Sequence, residues 1–100
     1  MTDLILLRQA DDDIQSAFNR YEEFQKGRGE LFMRQLDAAL TLLRQHPDIA
    51  PAYSGRYRRL LMRDFPYGVF YEVQPKRIVV GAIVDLRQDP ERIRRKLHSD

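Results

Sequence analysis

The spacing of apolar positions along this chain changes from strand-like to helical and back to strand-like. A short apolar run, Leu4-Ile5-Leu6-Leu7, indicates a buried strand. The acidic run Asp11-Asp12-Asp13 predicts the start and capping of a helix, because acids stabilise the positive end of the helix dipole. Helical spacing follows and predicts one buried stripe, made of Ile14, Ala17, Phe18, Tyr21 and Phe24.

A second helix is predicted after the break Lys26-Gly27-Arg28-Gly29, whose glycines suit a tight connection. It runs from about Glu30 to Gln45, where His46-Pro47 ends it. The same spacing predicts a second core stripe, made of Phe32, Leu36, Ala39, Leu40 and Leu43. Two helices of similar length with so short a link indicate an antiparallel helical hairpin.

The second half of the chain has the shorter period of strands. A loop with proline and glycine is predicted over Asp48–Gly55, followed by three strands over Arg56–Arg63, Tyr67–Val73 and Arg77–Val84. The last strand is apolar on both faces, which predicts a central position in the sheet. Asp89-Pro90-Glu91 predicts the start of a basic terminal helix. The order β-α-α-β-β-β with a short C-terminal helix indicates one α+β domain over residues 1–100, with the helical hairpin packed on a mainly antiparallel sheet.

Composition narrows the class of protein. The chain has 100 residues, of which 43% are hydrophobic, and this suits one domain with one core. The absence of cysteine excludes a disulfide scaffold, a thiol nucleophile and a cysteine zinc site. No apolar run approaches the roughly 20 residues of a membrane span, and Asp3 does not suit a signal peptide. We therefore expect a cytoplasmic protein with no membrane association.

Charge is unevenly distributed between the two halves. Residues 1–55 contain six basic and nine acidic residues, a net charge of −3, whereas residues 56–100 contain eleven and six, a net charge of +5. This asymmetry favours an anionic partner for the second half, the alternative being a solvated basic surface.

Arginines are concentrated on the first strand of the second half. Arg58, Arg59 and Arg63 lie within Tyr57–Arg63, and Arg87 follows the last strand. Guanidinium groups bind phosphate oxygens through paired hydrogen bonds, and a cationic cluster can stabilise the transition state of RNA cleavage. Arg94 and Arg95 on the terminal helix extend the candidate surface for binding a target. The alternative is protection of a sheet edge against aggregation.

Groups suited to acid–base or metal chemistry are few. His46 lies at a helix C-terminus, which favours a structural role, and His98 is two residues from the chain end. No histidine or carboxylate spacing indicates a metal site, and no glycine-rich phosphate loop is present. Glu22-Glu23 is interpreted as a solvated helical face. We expect neither a metal nor a cofactor.

One segment resembles a known family. Phe65-Pro66-Tyr67-Gly68-Val69-Phe70-Tyr71-Glu72-Val73 is similar to the FPY-x-(I/V)-(F/Y)-Y-x-(V/I) segment of RelE/ParE superfamily toxins. Tyr57-Arg58-Arg59 precedes it and Arg87-Gln88-Asp89-Pro90 follows it, as in that family. The acid-capped helix, the G-x-G break and the HP helix end also match, so the resemblance covers essentially the whole chain.

The resemblance implies the toxin of a type II toxin–antitoxin module, with the growth inhibition and plasmid stabilisation typical of such modules. It also implies a cognate antitoxin that wraps a helix or extended segment around the helical hairpin and the sheet edge. An amphipathic helix docked in an apolar groove is one general form of such recognition.

The superfamily contains two unlike activities, so the resemblance leaves the enzymatic status open. RelE-like members are ribosome-dependent mRNA endoribonucleases, and in that case Arg59, Arg63 and Arg87 would be catalytic. ParE-like members inhibit DNA gyrase without that catalytic set. This sequence has Asp85 where many relatives have histidine, and His98 in place of a terminal tyrosine. These departures and the long helical hairpin favour a ParE-like toxin acting on gyrase; a protein-binding module that has lost toxicity is a third interpretation.

Overall fold

The computed structural model of the chain describes residues 1–98. Its elements are, in chain order, strand β1 (Asp3–Leu6), helices α1 (Arg8–Phe24) and α2 (Arg28–Gln45), strands β2 (Ala52–Ser54), β3 (Tyr57–Leu61), β4 (Tyr67–Val73) and β5 (Arg77–Asp85), and helix α3 (Pro90–His98). The predicted α+β class is confirmed, with its helical hairpin, its mainly antiparallel sheet and its short C-terminal helix.

The five strands form one sheet in the order β1-β5-β4-β3-β2, and only the β1–β5 pair is parallel. The last strand is predicted to be central in the sheet. β5 is an interior strand with a neighbour on each side and is buried from Ile78 to Asp85, whereas β4 holds the middle position of the five. The prediction that the first strand is buried is wrong. β1 lies at the edge of the sheet, so Leu4 and Leu6 pack on the core whereas Ile5 remains 38% exposed.

The loop predicted over Asp48–Gly55 contains a further strand, β2, which pairs antiparallel with β3. β2 has only three residues and its register with β3 shifts between Ala52 and Ser54. Gly55 closes the turn at a positive φ of 58°, which favours glycine. A strand this short shows no alternation of apolar and polar residues, so its partner β3 determines it.

Apolar side chains pack on both faces of the sheet. The helical hairpin covers one face, where residues such as Phe32, Leu36, Val69 and Tyr71 are buried. Ile93 and Leu97 of α3 cover the other face, which we call the outer face, over Tyr57, Phe70, Ala82 and Val84. Neighbouring residues of one strand, such as Val69 and Phe70, therefore belong to different cores.

The hairpin turn depends on two glycines and one carboxylate. Gly27 has a φ of 89°, and a Cβ on Gly29 would lie 2.9 Å from the Phe18 carbonyl oxygen. The Glu22 carboxylate accepts hydrogen bonds from the N–H groups of Gly27 and Gly29 at 3.0–3.1 Å. The prediction of a solvated Glu22 is therefore wrong, because this side chain caps the N-terminus of α2.

The acidic run does not cap α1. The helix begins at Arg8 with Leu7 at the cap position and no side-chain capping bond. Asp13 instead reaches the sheet, where one carboxylate oxygen accepts the Ile83 N–H at 3.0 Å. The other oxygen accepts a hydrogen bond from Lys96 Nζ of α3 at 2.6 Å. The Asp13 side chain therefore joins α1, β5 and α3. The prediction that Asp13 caps α1 is wrong.

Phe24 departs from the predicted stripe. Ala17 of the same stripe is buried, and Ile14 and Tyr21 pack against the core. Phe24 is the last residue of α1 and is 79% exposed. The prediction that Phe24 is buried is wrong.

Candidate functional site

The two adjacent arginines of β3 point to opposite faces of the sheet, as strand geometry requires. Arg58 pairs in register with Tyr71, whose side chain belongs to the hairpin-side core. Arg58 Nη1 donates to the Ala50 carbonyl at 2.6 Å, and Arg58 Nη2 lies 3.8 Å from Asp48 Oδ1. Arg58 therefore holds the segment between α2 and β2 in place.

Arg59 lies on the outer face, in register with Phe70. Its guanidinium carbon is 4.9 Å from the centroid of the Tyr53 ring, within the range of a cation–π contact. Gly68 leaves room beside it, because a Cβ there would lie 3.2 Å from Arg59 Cγ and 3.1 Å from a Leu86 methyl group. Arg59 is thus held among apolar side chains by its stem and by Tyr53.

Arg87 is engaged by the carboxylate of Asp85. Its Nε donates to Asp85 Oδ1 at 3.0 Å and its Nη2 donates to Oδ2 at 2.7 Å, a paired geometry that is the strongest form of this contact. The Arg87 backbone N–H also donates to Oδ1 at 3.0 Å. These bonds lower the pKa of Asp85, although burial opposes them, and the carboxyl group is therefore ionised near neutral pH. An ionised Asp85 accepts hydrogen bonds and has no proton to donate.

Two further residues join this pair, and neither was predicted. Arg20 of α1 places Nη1 3.8 Å from Asp85 Oδ2, and the same nitrogen donates to the Tyr67 hydroxyl at 3.4 Å. Burial raises the pKa of Tyr67, although the Arg20 charge opposes this. Arg20 and Asp85 are far apart in the chain, and only the packing of α1 on β5 brings them together. Beside them is a polar cavity of about 210 Å³, lined by residues that include Asp13, Ser16, Arg20, Tyr67, Asp85, Gln88 and Lys96.

The other predicted residues lie elsewhere. Arg63 is exposed beyond the end of β3, and Arg94 and Arg95 are exposed on α3. Arg94 Nη1 lies 3.6 Å from Glu91 Oε2. His98 Nε2 is 3.0 Å from Ser54 Oγ, and its ring packs edge-on against Tyr57. These contacts of His98 hold α3 to the sheet, and they involve Ser54 and Tyr57 instead of the predicted arginines.

An apolar groove of about 510 Å³ separates α2 from β3. Its lining residues are Gln35, Asp37, Ala38, Ala39, Thr41, Leu42, Gln45, Leu60, Leu61 and Arg63. Leu61 is 59% exposed on its rim, and Arg63 is the cation of this lining. The groove is therefore a surface that can take an apolar side of a partner, with one cation, Arg63, and one carboxylate, Asp37, in its lining.

The family model for the ParE toxin of the type II toxin–antitoxin system, parDE, matches residues 4–90. The chain belongs to this family. A solved structure titled "Chromosomal ParDE TA system from P. aeruginosa" has a similar fold, with a TM-score of 0.77 and 18% sequence identity. The match covers 86% of this chain and 97% of that one. Comparison with curated proteins yields no match.

Family membership confirms the predicted RelE/ParE superfamily and its ParE-like branch, and it implies an antitoxin partner. Within residues 1–98, no group of three or more histidine, cysteine or acidic residues is placed to hold a metal ion. Among the helices of residues 1–98, none is both long enough and apolar enough to cross a membrane.

Proposed function

We propose that this ParE family member is a cytoplasmic toxin that arrests growth by binding DNA gyrase, and that a cognate antitoxin neutralises it. The observation that carries the proposal is the paired hydrogen bonding of Arg87 to Asp85 at 3.0 and 2.7 Å. This pairing supports a surface that binds a protein target over a surface that cleaves RNA.

Cleavage of RNA without a metal requires cations that face the phosphate and a group that donates a proton. Arg87 directs two of its donors at Asp85, and the lowered pKa of Asp85 keeps that carboxyl group ionised. Arg58 is likewise engaged, with the carbonyl of Ala50. The predicted arginines Arg58 and Arg87 therefore form contacts within the protein that build a stable charged surface.

A supercoiling assay with purified gyrase tests the proposal. We expect the wild-type chain to inhibit supercoiling, and an equimolar amount of the cognate antitoxin to restore it. Supercoiling that is unaffected at toxin concentrations that arrest growth would refute gyrase as the target. Mapping of mRNA 5′ ends after induction provides the second arm, because cuts at fixed codon positions would support the endoribonuclease alternative.

For the antitoxin we propose the groove between α2 and β3. Its apolar floor includes Ala38, Leu42 and Leu60, and an amphipathic helix fits such a groove through residues spaced by three and four. The cation Arg63 in its lining favours an acidic residue near it in the antitoxin segment.

The Leu61→Asp variant tests this placement, because Leu61 is 59% exposed on the rim and its replacement costs the fold little. We expect antitoxin affinity to fall at least about tenfold, measured by calorimetry, since a buried interface does not accept an unpaired charge. Ile49→Asp is the matched control, because Ile49 is 49% exposed and does not line the groove. Equal affinities for the two variants would refute the groove as the antitoxin site.

A further inference from the structure

The exposed Phe24 lies one helical turn after Arg20, which is one of a pair of arginines. Arg20 is four residues earlier on α1, so the two side chains share one face of the helix. The guanidiniums of Arg20 and Arg87 both approach Asp85 Oδ2, at 3.8 and 2.7 Å. Their side chains remain 62% and 68% exposed. We call Arg20, Phe24 and Arg87 the Phe24 patch.

Asp85 gives this patch its geometry. The carboxylate is only 12% exposed, and it fixes Arg87 through two hydrogen bonds. A guanidinium carries more N–H donors than one carboxylate can accept, so both arginines keep donors directed at solvent. The two arginines are thus arranged before any partner arrives, which reduces the entropy lost on binding.

The charge balance indicates which partner fits. Arg20 and Arg87 provide two positive charges and share the single carboxylate of Asp85, which leaves one surplus positive charge at the patch. One surplus charge matches one carboxylate, whereas a nucleic-acid strand brings a series of phosphates. An aromatic ring that is 79% exposed beside this charge suits an apolar side chain of a protein.

We propose that the Phe24 patch is the surface that contacts the target protein, and that it binds a segment with one acidic side chain next to an apolar one. This inference rests on the proposed toxin function and deepens it. The patch shares no residue with the antitoxin groove, because it lies on α1 and just after β5, whereas the groove is built on α2 and β3. Target and antitoxin therefore use different surfaces of the molecule.

Two single variants test the patch, Arg20→Ala and Phe24→Ala, with Glu23→Ala as the matched control. Glu23 is an exposed carboxylate on the same helical turn. All three changes are at exposed positions and leave the fold intact, which a thermal melt verifies. The full-length variants are expressed from an inducible promoter, and antitoxin affinity is measured on the purified proteins.

We expect both patch variants to lose growth arrest, and to require at least about tenfold more protein to inhibit gyrase, as the loss of a central contact does. Antitoxin affinity should change less than about twofold, and Glu23→Ala should arrest growth like the wild type. If the variants lose growth arrest while wild-type protein leaves gyrase unaffected, the Phe24 patch is supported and the choice of gyrase fails.

Growth arrest that is unchanged in both patch variants would overturn the inference and leave a positive gyrase result standing. A parallel loss of antitoxin affinity would also overturn it, because the patch would then belong to the antitoxin site. Wild-type binding of a single-stranded RNA oligonucleotide that both variants abolish would assign the patch to nucleic acid instead. Failure of the wild-type chain to arrest growth would refute the proposed toxin function and, with it, the role of the Phe24 patch as a target contact.

Discussion

Asp13 offers the sharpest test of how this fold is held together. β1 pairs with β5 only as far as Val80, so the N–H of Ile83 lies beyond the end of that strand pairing. The Asp13 carboxylate takes the place of the missing strand and accepts the Ile83 N–H at 3.0 Å. Its second oxygen accepts from Lys96 at 2.6 Å, so Asp13→Ala removes two contacts with one substitution.

The two contacts differ in their expected contribution. Ile83 is 2% exposed, so the loss of a charged acceptor leaves its N–H buried and costs about 1.5–3 kcal/mol. Lys96 is 34% exposed, so solvent compensates for much of its loss and this contact adds only about 0–1 kcal/mol. We therefore expect Asp13→Ala to lower the free energy of unfolding by about 1.5–4 kcal/mol. Asp13→Asn keeps an acceptor for the Ile83 N–H, so its free energy of unfolding should lie between those of the wild type and Asp13→Ala.

Urea denaturation followed by circular dichroism measures these differences directly. Asp12→Ala is the matched control, because Asp12 is an exposed acid on the same helix, and it should change stability by less than about 0.5 kcal/mol. If Asp13→Ala costs no more than Asp12→Ala, the carboxylate does not support the sheet and the reasoning from its two hydrogen bonds is wrong.

Three further outcomes follow from the contacts. Gly81→Ala should cost about 1–3 kcal/mol in chemical denaturation, because its Cβ would lie 2.8 Å from the Tyr57 ring. Tyr71→Phe should cost about 1–3 kcal/mol, because the buried Tyr71 hydroxyl donates to the Pro47 carbonyl at 2.8 Å. Because the pKa of Asp85 is lowered in the folded state, its ionised carboxylate stabilises the fold above the unfolded-state pKa of about 4. This contribution is lost as the pH falls through the lower pKa of the folded state. Asp85→Asn should therefore lose less stability than the wild type between pH 7 and about 3.

Each of these has a control in the chain itself. The Gly81→Ala cost should shrink in a Tyr57→Ala background, which a double-mutant cycle measures, and an unchanged cost would contradict the contact. Tyr53→Phe is the comparison for the hydroxyl, because Tyr53 is only partly buried, and it should change stability by less than about 0.5 kcal/mol. An identical acid dependence in Asp85→Asn and wild type would refute the role of that carboxylate.

Local patterns in the sequence were sufficient for the fold class and for the order of the described elements other than β2. The helical stripes, the glycine break and the doubly apolar last strand each depend on residues close together in the chain, and the structure retains them. The family resemblance was likewise carried by contiguous segments around Phe65–Val73. By contrast, β2 carries no pattern of its own and forms only because β3 offers it an edge.

For the candidate site, the sequence indicated Arg87 and Asp85 but not what joins them to α1. Arg20 is one of several arginines on the solvent side of a helix, and no local signal distinguishes it. Its contact with Asp85 depends on how α1 crosses β5. The same holds for Asp13, whose acidic neighbours suggested a helix cap, although its partner is Ile83 of β5.

Phe24 shows the same division at a single residue. Its spacing places it on the buried stripe of α1, and that spacing is all that the sequence contains. Whether a stripe position is buried depends on what lies opposite it, and at the end of α1 the ring is 79% exposed. The sequence by itself determined which residues share a face, through the fixed period of helix and strand. Only the tertiary structure decided which of those faces end against a core, a partner charge or solvent, because that depends on where distant segments pack.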